Sequence, residues 1–201
     1  MDNLLIKCEK KQSAKRRLLF LCGLSILFFL KTEAQPSAKL DWQEITFGYS
    51  IVSEQLPEGY PYQPLFLTAR FGIYNFPSKK RAQFSVFGEP QFTFHDAPSS
   101  FANSFELGIN FGVRYQLPFS DKNGLLASIS AGPHHLSLET TLQARGFLFS
   151  DNFEVGYYHQ INEQWRVTVK PRFRHLSNAG LQSPNIGIDN FFLMVGVFSV
   201  L

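Results

Sequence analysis

The segment SFELGINFGVRY, residues 104–115, alternates without a break between apolar positions and polar or glycine positions. One face of this segment carries only large apolar side chains, which are Phe105, Leu107, Ile109, Phe111, Val113 and Tyr115. A period of two indicates a β-strand. A run of about 11 residues is also the length that a tilted strand needs to cross a membrane. We therefore interpret this segment as a transmembrane strand whose apolar face contacts lipid.

The same alternation recurs, less cleanly, along the rest of the chain. The predicted strands lie near residues 44–51, 65–72, 83–94, 104–115, 125–134, 146–158, 164–177 and 189–200. Eight strands form the smallest closed barrel of the outer-membrane class, and closure removes the unpaired edge that lipid cannot satisfy. The predicted fold is therefore all-β, an eight-stranded antiparallel transmembrane β-barrel. Asp151 interrupts the apolar face of the sixth strand, which we interpret as a bulge or a strand end.

The polar faces of these strands are expected to fill the barrel interior, because a barrel of this size has no room for a wide channel. The charged residues predicted to pair there are Glu44, Arg70, Glu89, Glu106, Arg114, Glu154, Arg166 and Arg172. The aromatic residues predicted to form a girdle at the membrane interfaces are Trp42, Tyr49, Tyr115, Tyr157 and Trp165. His134 and His135 are interpreted as loop residues rather than metal ligands.

The amino terminus has the pattern of a secretory signal peptide. A basic segment precedes an apolar run of roughly 13 residues, from Leu18 to Leu30, and a small residue, Ala34, stands at the expected cleavage site. We expect residues 1–34 to be removed and residues 35–201 to form a single outer-membrane β-barrel domain. Both cysteines leave with the leader, which excludes a disulfide or a cysteine-based zinc site. The mature chain would carry 12 basic and 13 acidic residues, which argues against nucleic acid as a partner.

The seventh strand and the hairpin after it contain the residues of a potential hydrolase site. His175 and Ser177 share the apolar face, and Asp189 opens the returning strand on the same face. Nucleophile, base and orienting acid could therefore meet on the outside of the barrel. Asn178 and Asn185, with the backbone N–H groups of the loop, are candidates for an oxyanion site. In the alternative interpretation, His175 and Ser177 are interfacial polar residues beside an ordinary turn.

The segment His175-Leu176-Ser177-Asn178-Ala179-Gly180, followed by Pro184, Asn185, Gly187 and Asp189, resembles the signature of the outer-membrane lipid A 3-O-deacylase family of the PagL type. Related sequences are also described as acyloxyacyl hydrolases. The resemblance implies that Ser177 is the nucleophile, His175 the base, and Asn185 an oxyanion donor, with Asn178 and Gly180 beside it. The family has Glu where this chain has Asp189, so the acid is one methylene shorter here.

The resemblance implies an outer-membrane enzyme that hydrolyses the ester-linked 3-hydroxyacyl chain at the 3-O position of lipid A, without a cofactor. Its partner would be lipopolysaccharide in the outer leaflet, with the acyl tails along Val169, Phe173, Phe191 and Leu193. The alternatives are a non-catalytic barrel, an esterase acting on phospholipid or on a secondary acyl chain, and a soluble lipocalin-like carrier. The sequence leaves the oligomeric state open, a homodimer included.

Overall fold

The computed structural model describes residues 41–53, 55–78 and 81–201, so the predicted signal peptide lies outside the described residues. The strands are β1 (Trp42–Ser53), β2 (Leu65–Asn75), β3 (Gln83–His95), β4 (Ser104–Pro118), β5 (Asn123–Leu136), β6 (Gly146–Gln160), β7 (Trp165–Ser177) and β8 (Ile188–Val200). Each strand pairs with the next, and β8 pairs antiparallel with β1 to close the barrel. The predicted all-β, eight-stranded antiparallel barrel is confirmed.

Within the ranges given above, no helix has the length and hydropathy needed to span a membrane.

The alternation of the sequence separates an apolar outer surface from a polar interior. On β4, Phe111 and Leu107 are 53% and 52% exposed, whereas Glu106 and Asn110, which precede each of them, are fully buried in the lumen. The other strands follow the same pattern, with bulky apolar residues outside. A surface of this kind is stable only where lipid, rather than water, surrounds it.

Charged side chains fill the middle of the barrel and pair with one another. Arg172 bonds to Glu89 at 2.9 Å and to Glu154 at 3.0 Å. Arg70 donates to Glu154 at 2.7 Å and also pairs with Glu89, while Lys170 bonds to Glu44 at 2.7 Å. Seven of the eight predicted interior charges are buried, and Arg166, near the start of β7, is partly exposed. The lumen is therefore a packed ionic core.

The predictions for Trp42 and for the two histidines of β5 were wrong. Trp42 points into the lumen, because it shares the parity of Glu44. Its ring stacks on Phe198 with 5.3 Å between the ring centroids. The Arg114 guanidinium lies 3.6 Å from the centroid of the indole. His134 and His135 lie within β5, which continues past the predicted strand end. Inside the barrel, His134 Nδ1 lies 2.5 Å from a Glu106 oxygen.

An apolar cluster fills the barrel end that carries the long β1–β2, β5–β6 and β7–β8 loops. Its buried members are Leu56, Tyr60, Tyr62, Leu136, Leu138, Leu148, Leu176 and Ile188. Leu176 and Ile188 face each other across β7 and β8. Because Leu176 stands between His175 and Ser177, its burial fixes both of those residues on the outer face. Long loops are extracellular in such barrels, so this is the expected outer-leaflet end.

Candidate active site

The β7–β8 hairpin brings His175 and Asp189 together on the outside of the barrel. The two residues are direct partners in the antiparallel ladder, and His175 Nδ1 lies 2.7 Å from Asp189 Oδ1. Their side chains are 36% and 57% exposed, respectively. An aspartate is long enough at this position because the register places it directly opposite the imidazole.

Ser177 lies on the same outer face, two residues beyond His175, and is partly buried. The ladder partner of Ser177 on β6 is Phe149. The exposed Phe149 residue thus flanks Ser177 on the side away from β8. The Ser177 hydroxyl forms no hydrogen bond with the residues that the structure describes. Along β7, Ser177 follows His175 toward the loop. Gly187 also lies at this end, and the Cε1–Nε2 edge of His175 packs against it. The imidazole is thus held by Asp189 at one nitrogen, and its other nitrogen lies at the loop end of the strand.

Asn178 shapes the loop that follows the serine. Its side-chain oxygen accepts a hydrogen bond from the backbone N–H of Gly180 at 3.0 Å, and its Nδ2 donates to the Gln182 carbonyl at 2.7 Å. These bonds accommodate positive φ angles of 53° at Ala179 and 78° at Gly180. Both polar groups of the Asn178 side chain, and the N–H of Gly180, are therefore engaged within the loop.

Asn185 is held in place from two directions. Its side-chain oxygen accepts a 2.7 Å hydrogen bond from the Asn178 backbone N–H, and its backbone forms a bridge with Gln143 of the β5–β6 loop. The backbone of Pro184 accepts a further bond from Ala144 at 2.9 Å. Since the Asn185 oxygen is occupied, its Nδ2 is left as a donor that forms no hydrogen bond with the described residues.

Asp151 is a further polar residue beside this site, and the prediction of a bulge or strand end there was wrong. The register between β5 and β6 runs unbroken from Asn123 to Leu136, and Asp151 stands within β6 with its side chain outward. It is the ladder partner of His175 on the side opposite Asp189. The sequence feature that could have identified Asp151 as a functional residue is its charge on an otherwise apolar strand face. Among the described residues, no three His, Cys, Asp or Glu side chains are grouped as metal ligands.

A groove of about 560 Å³ opens on the outer surface beside Asp151. It is lined by Phe111, Gly112, Val113, Ile129, Ser130, Ala131, Asp151, Asn152, Phe153 and Phe173. The depression forms because Ala131, the ladder partner of Asp151 on β5, stands between much larger apolar neighbours. The sequence indicated the face formed by β7 and β8 for the acyl tails, and of the residues named there only Phe173 borders the groove.

Comparisons with known proteins agree with the architecture. The model of the family described as lipid A 3-O-deacylase (PagL) matches residues 29–198. The crystal structure of the outer membrane enzyme PagL is similar with a TM-score of 0.61 and 16% identity, over 76% of this chain and 97% of that one. The crystal structure of Neisserial surface protein A (NspA) is similar with a TM-score of 0.55 and 12% identity, over 80% of this chain and 96% of that one. A search of curated proteins found no match.

Proposed function

Because the chain belongs to the lipid A 3-O-deacylase (PagL) family, we propose that it is an outer-membrane esterase that releases the 3-hydroxyacyl chain from the 3-position of lipid A. The observation that carries this proposal is the 2.7 Å contact between His175 and Asp189 on the outer face of the barrel, with Ser177 two residues further along the same face of β7. A base oriented by an acid next to a hydroxyl is the arrangement of a serine hydrolase.

The proposed reaction has two steps. Ser177 Oγ attacks the ester carbonyl carbon while His175 Nε2 takes the hydroxyl proton, and His175 then gives this proton to the sugar oxygen as the C–O bond breaks. Water attacks the acyl-serine with His175 again as base, which releases a 3-hydroxy fatty acid and restores Ser177. Asp189 holds Nδ1–H and stabilises the imidazolium that forms in both steps.

We assign the stabilisation of the negatively charged carbonyl oxygen to Asn185. Its Nδ2 is free to donate, and the hydrogen bond from Asn178 to its Oδ1 fixes the orientation of the amide. Asn178 and Gly180 then act as positioning residues, since their own polar groups hold the loop. A donor fixed before the reaction needs no reorganisation when charge develops, which is the basis of oxyanion stabilisation.

The position of the site defines how substrate arrives. The lumen is closed by paired charges in its middle and by the apolar cluster at the loop end. His175 and Asp189 instead face outward, toward the bilayer. A substrate must therefore approach laterally within the membrane, with its polar headgroup at the rim and its chains in the hydrocarbon. Lipopolysaccharide of the outer leaflet meets this requirement at the long-loop end of the barrel.

The test is a comparison of lipid A from cells that make the wild-type protein, Ser177→Ala, or Ser183→Ala, a serine variant in the same hairpin. We expect the wild type and Ser183→Ala to yield lipid A lighter by one 3-hydroxyacyl chain in mass spectrometry, and Ser177→Ala to leave it intact. Loss of a secondary acyl chain, or formation of lysophospholipid, would identify a different ester as substrate. Unchanged lipids in all three strains would indicate a non-catalytic barrel.

A further inference from the structure

The carboxylate of Asp151 stands on the surface that faces lipid. Acidic residues are rare on such surfaces, because burial of a charge in hydrocarbon is costly, and those that occur usually have a function. Asp151, His175 and Asp189 form one row across β6, β7 and β8. Asp151 is thus at the height of the candidate active site, close to the polar rim.

Among the residues that the structure describes, Asp151 has no partner that would explain its presence. Asp189 already occupies His175 Nδ1, and the Asp151 carboxylate forms no hydrogen bond or ion pair with any residue that the structure describes. The cations that neutralise the buried acids lie inside the barrel, on the opposite side of the sheet from Asp151. Its oxygens are therefore available to a donor that comes from the membrane side.

The groove begins at Asp151 and continues away from the loops. In the next outward-facing row of cross-strand partners, farther from the long loops than Asp151, the groove is lined by Phe153, Ile129 and Val113. These residues are between 41% and 57% exposed and entirely apolar at their tips. A chain whose ester is held at Ser177 and whose tail lies in this groove would run from the rim toward the bilayer centre, which is the direction of a lipid acyl chain.

We propose that Asp151 accepts a hydrogen bond from the 3-hydroxyl of the acyl chain and makes the enzyme selective for 3-hydroxyacyl esters over unsubstituted ones. This inference rests on the proposed function and names the chemical feature of the chain that the site recognises. Ser177 and Asp151 are diagonal neighbours on adjacent strands, at a typical Cα separation of about 7–8 Å. The hydroxyl sits on the β-carbon, close to the reacting carbonyl, so it falls between Ser177 and the mouth of the groove.

The chemistry of the two groups is complementary. An ionised carboxylate only accepts hydrogen bonds, and a hydroxyl supplies the donor. An unsubstituted chain would place methylene groups against the carboxylate and leave it without a partner in an apolar setting. Sites that bind a substrate hydroxyl discriminate against the analogue that lacks it for this reason.

The experiment uses the full mature chain in mixed micelles and two lipid A substrates that differ only in the 3-hydroxyl of the scissile chain. We expect the wild type to favour the hydroxylated substrate in kcat/KM by about 10-fold to 100-fold. Asp151→Leu should bring that ratio close to one, and Asp151→Asn should give an intermediate ratio, because the amide oxygen still accepts. Circular dichroism establishes that each variant retains the barrel. Asp189→Asn is the matched control, and it should lower both rates while preserving the ratio.

The outcomes separate the two proposals. A wild type that hydrolyses both substrates equally, or an Asp151→Leu variant that keeps the wild-type ratio, would overturn the role of Asp151 and leave the deacylase proposal standing. If Asp151→Leu lowers both rates alike and moves the pH profile, Asp151 acts through His175, and selectivity is again overturned. Failure of the wild type to hydrolyse either substrate would refute the deacylase proposal and this inference with it.

Discussion

Gly187 lies against the imidazole of His175, with no space between them for a side chain. A Cβ at Gly187 would stand 2.5 Å from His175 Cε1 and 3.1 Å from Nε2. The backbone of Gly187 also has a φ of +96°, in the left-handed region that favours glycine. Glycine is therefore required at this position for two reasons: the backbone has a positive φ, and the imidazole ring occupies the space of a side chain. It sets one limit on where Nε2 can lie, and Asp189 sets the other.

Gly187→Ala should displace the His175 ring and reduce deacylation by about 100-fold, since small errors in the position of a catalytic group have effects of this size. The measurement is release of 3-hydroxy fatty acid from lipid A in mixed micelles. Gly59→Ala is the control, because Gly59 has a nearly equal φ of +94° but nothing within 4 Å of a new Cβ. Equal activities of the two variants would show that the contact with His175 is unimportant.

Asp189→Asn should lower kcat by about 10²-fold to 10⁴-fold, because an amide can neither stabilise the imidazolium nor fix the tautomer that a carboxylate selects. Asp189→Glu should cause a smaller loss, since the longer side chain must fold back to reach a ring placed directly opposite. Steady-state kinetics on lipid A measure both. The control is Asp121→Asn in the β4–β5 loop, at the other end of the barrel. A fully active Asp189→Asn would remove the acid from the mechanism.

The sequence predicted the barrel well because parity along each strand decides which side chains face lipid and which face the lumen. The same parity brought His175, Ser177 and Asp189 to one face. The bounds of the strands were less predictable, since β5 continues through His134 and His135. Trp42 had the parity of the lumen, but its position near a strand end suggested the girdle instead. Side-chain parity was therefore a better guide than residue type.

Features that depend on several strands at once could not be predicted from the sequence. The groove exists because Ala131 on β5 stands beside Asp151 on β6 and Phe111 on β4, and only the registers of both ladders bring them together. The sequence predicts a break at Asp151 because its charge conflicts with an apolar face, whereas β6 continues through it. The roles that we propose for Asn178 and Asn185 rest on hydrogen bonds between loop atoms, which no spacing in the sequence specifies.

Glu154→Gln should destabilise the barrel by about 3–5 kcal/mol, because it removes one of the two carboxylates that neutralise the buried Arg70 and Arg172. Glu154 bonds to Arg70 at 2.7 Å and to Arg172 at 3.0 Å, and all three side chains are buried. The free energy of unfolding is measured by denaturant titration of the protein folded into lipid vesicles. Glu139→Gln is the control, since Glu139 pairs with Arg145 on the surface and exposed pairs contribute below about 1 kcal/mol. Similar losses in both variants would argue against an ionic core.

Ala131→Leu should shorten the acyl chain that the enzyme accepts. Ala131 forms the floor of the groove, and a leucine there would occupy the space between Phe111 and Asp151 without adding polarity to the lipid-facing surface. We expect kcat/KM for long 3-hydroxyacyl chains to fall by about 10-fold relative to that for short ones, the scale on which apolar pockets discriminate methylene groups. Lipid A variants of graded chain length provide the measurement. Ala127→Leu is the matched control, because Ala127 also faces outward on β5 but does not line the groove. If Ala131→Leu lowered the rates for all chain lengths equally, or resembled Ala127→Leu, the acyl chain would have to lie elsewhere on the barrel, and the face of β7 and β8 would be the place to test next.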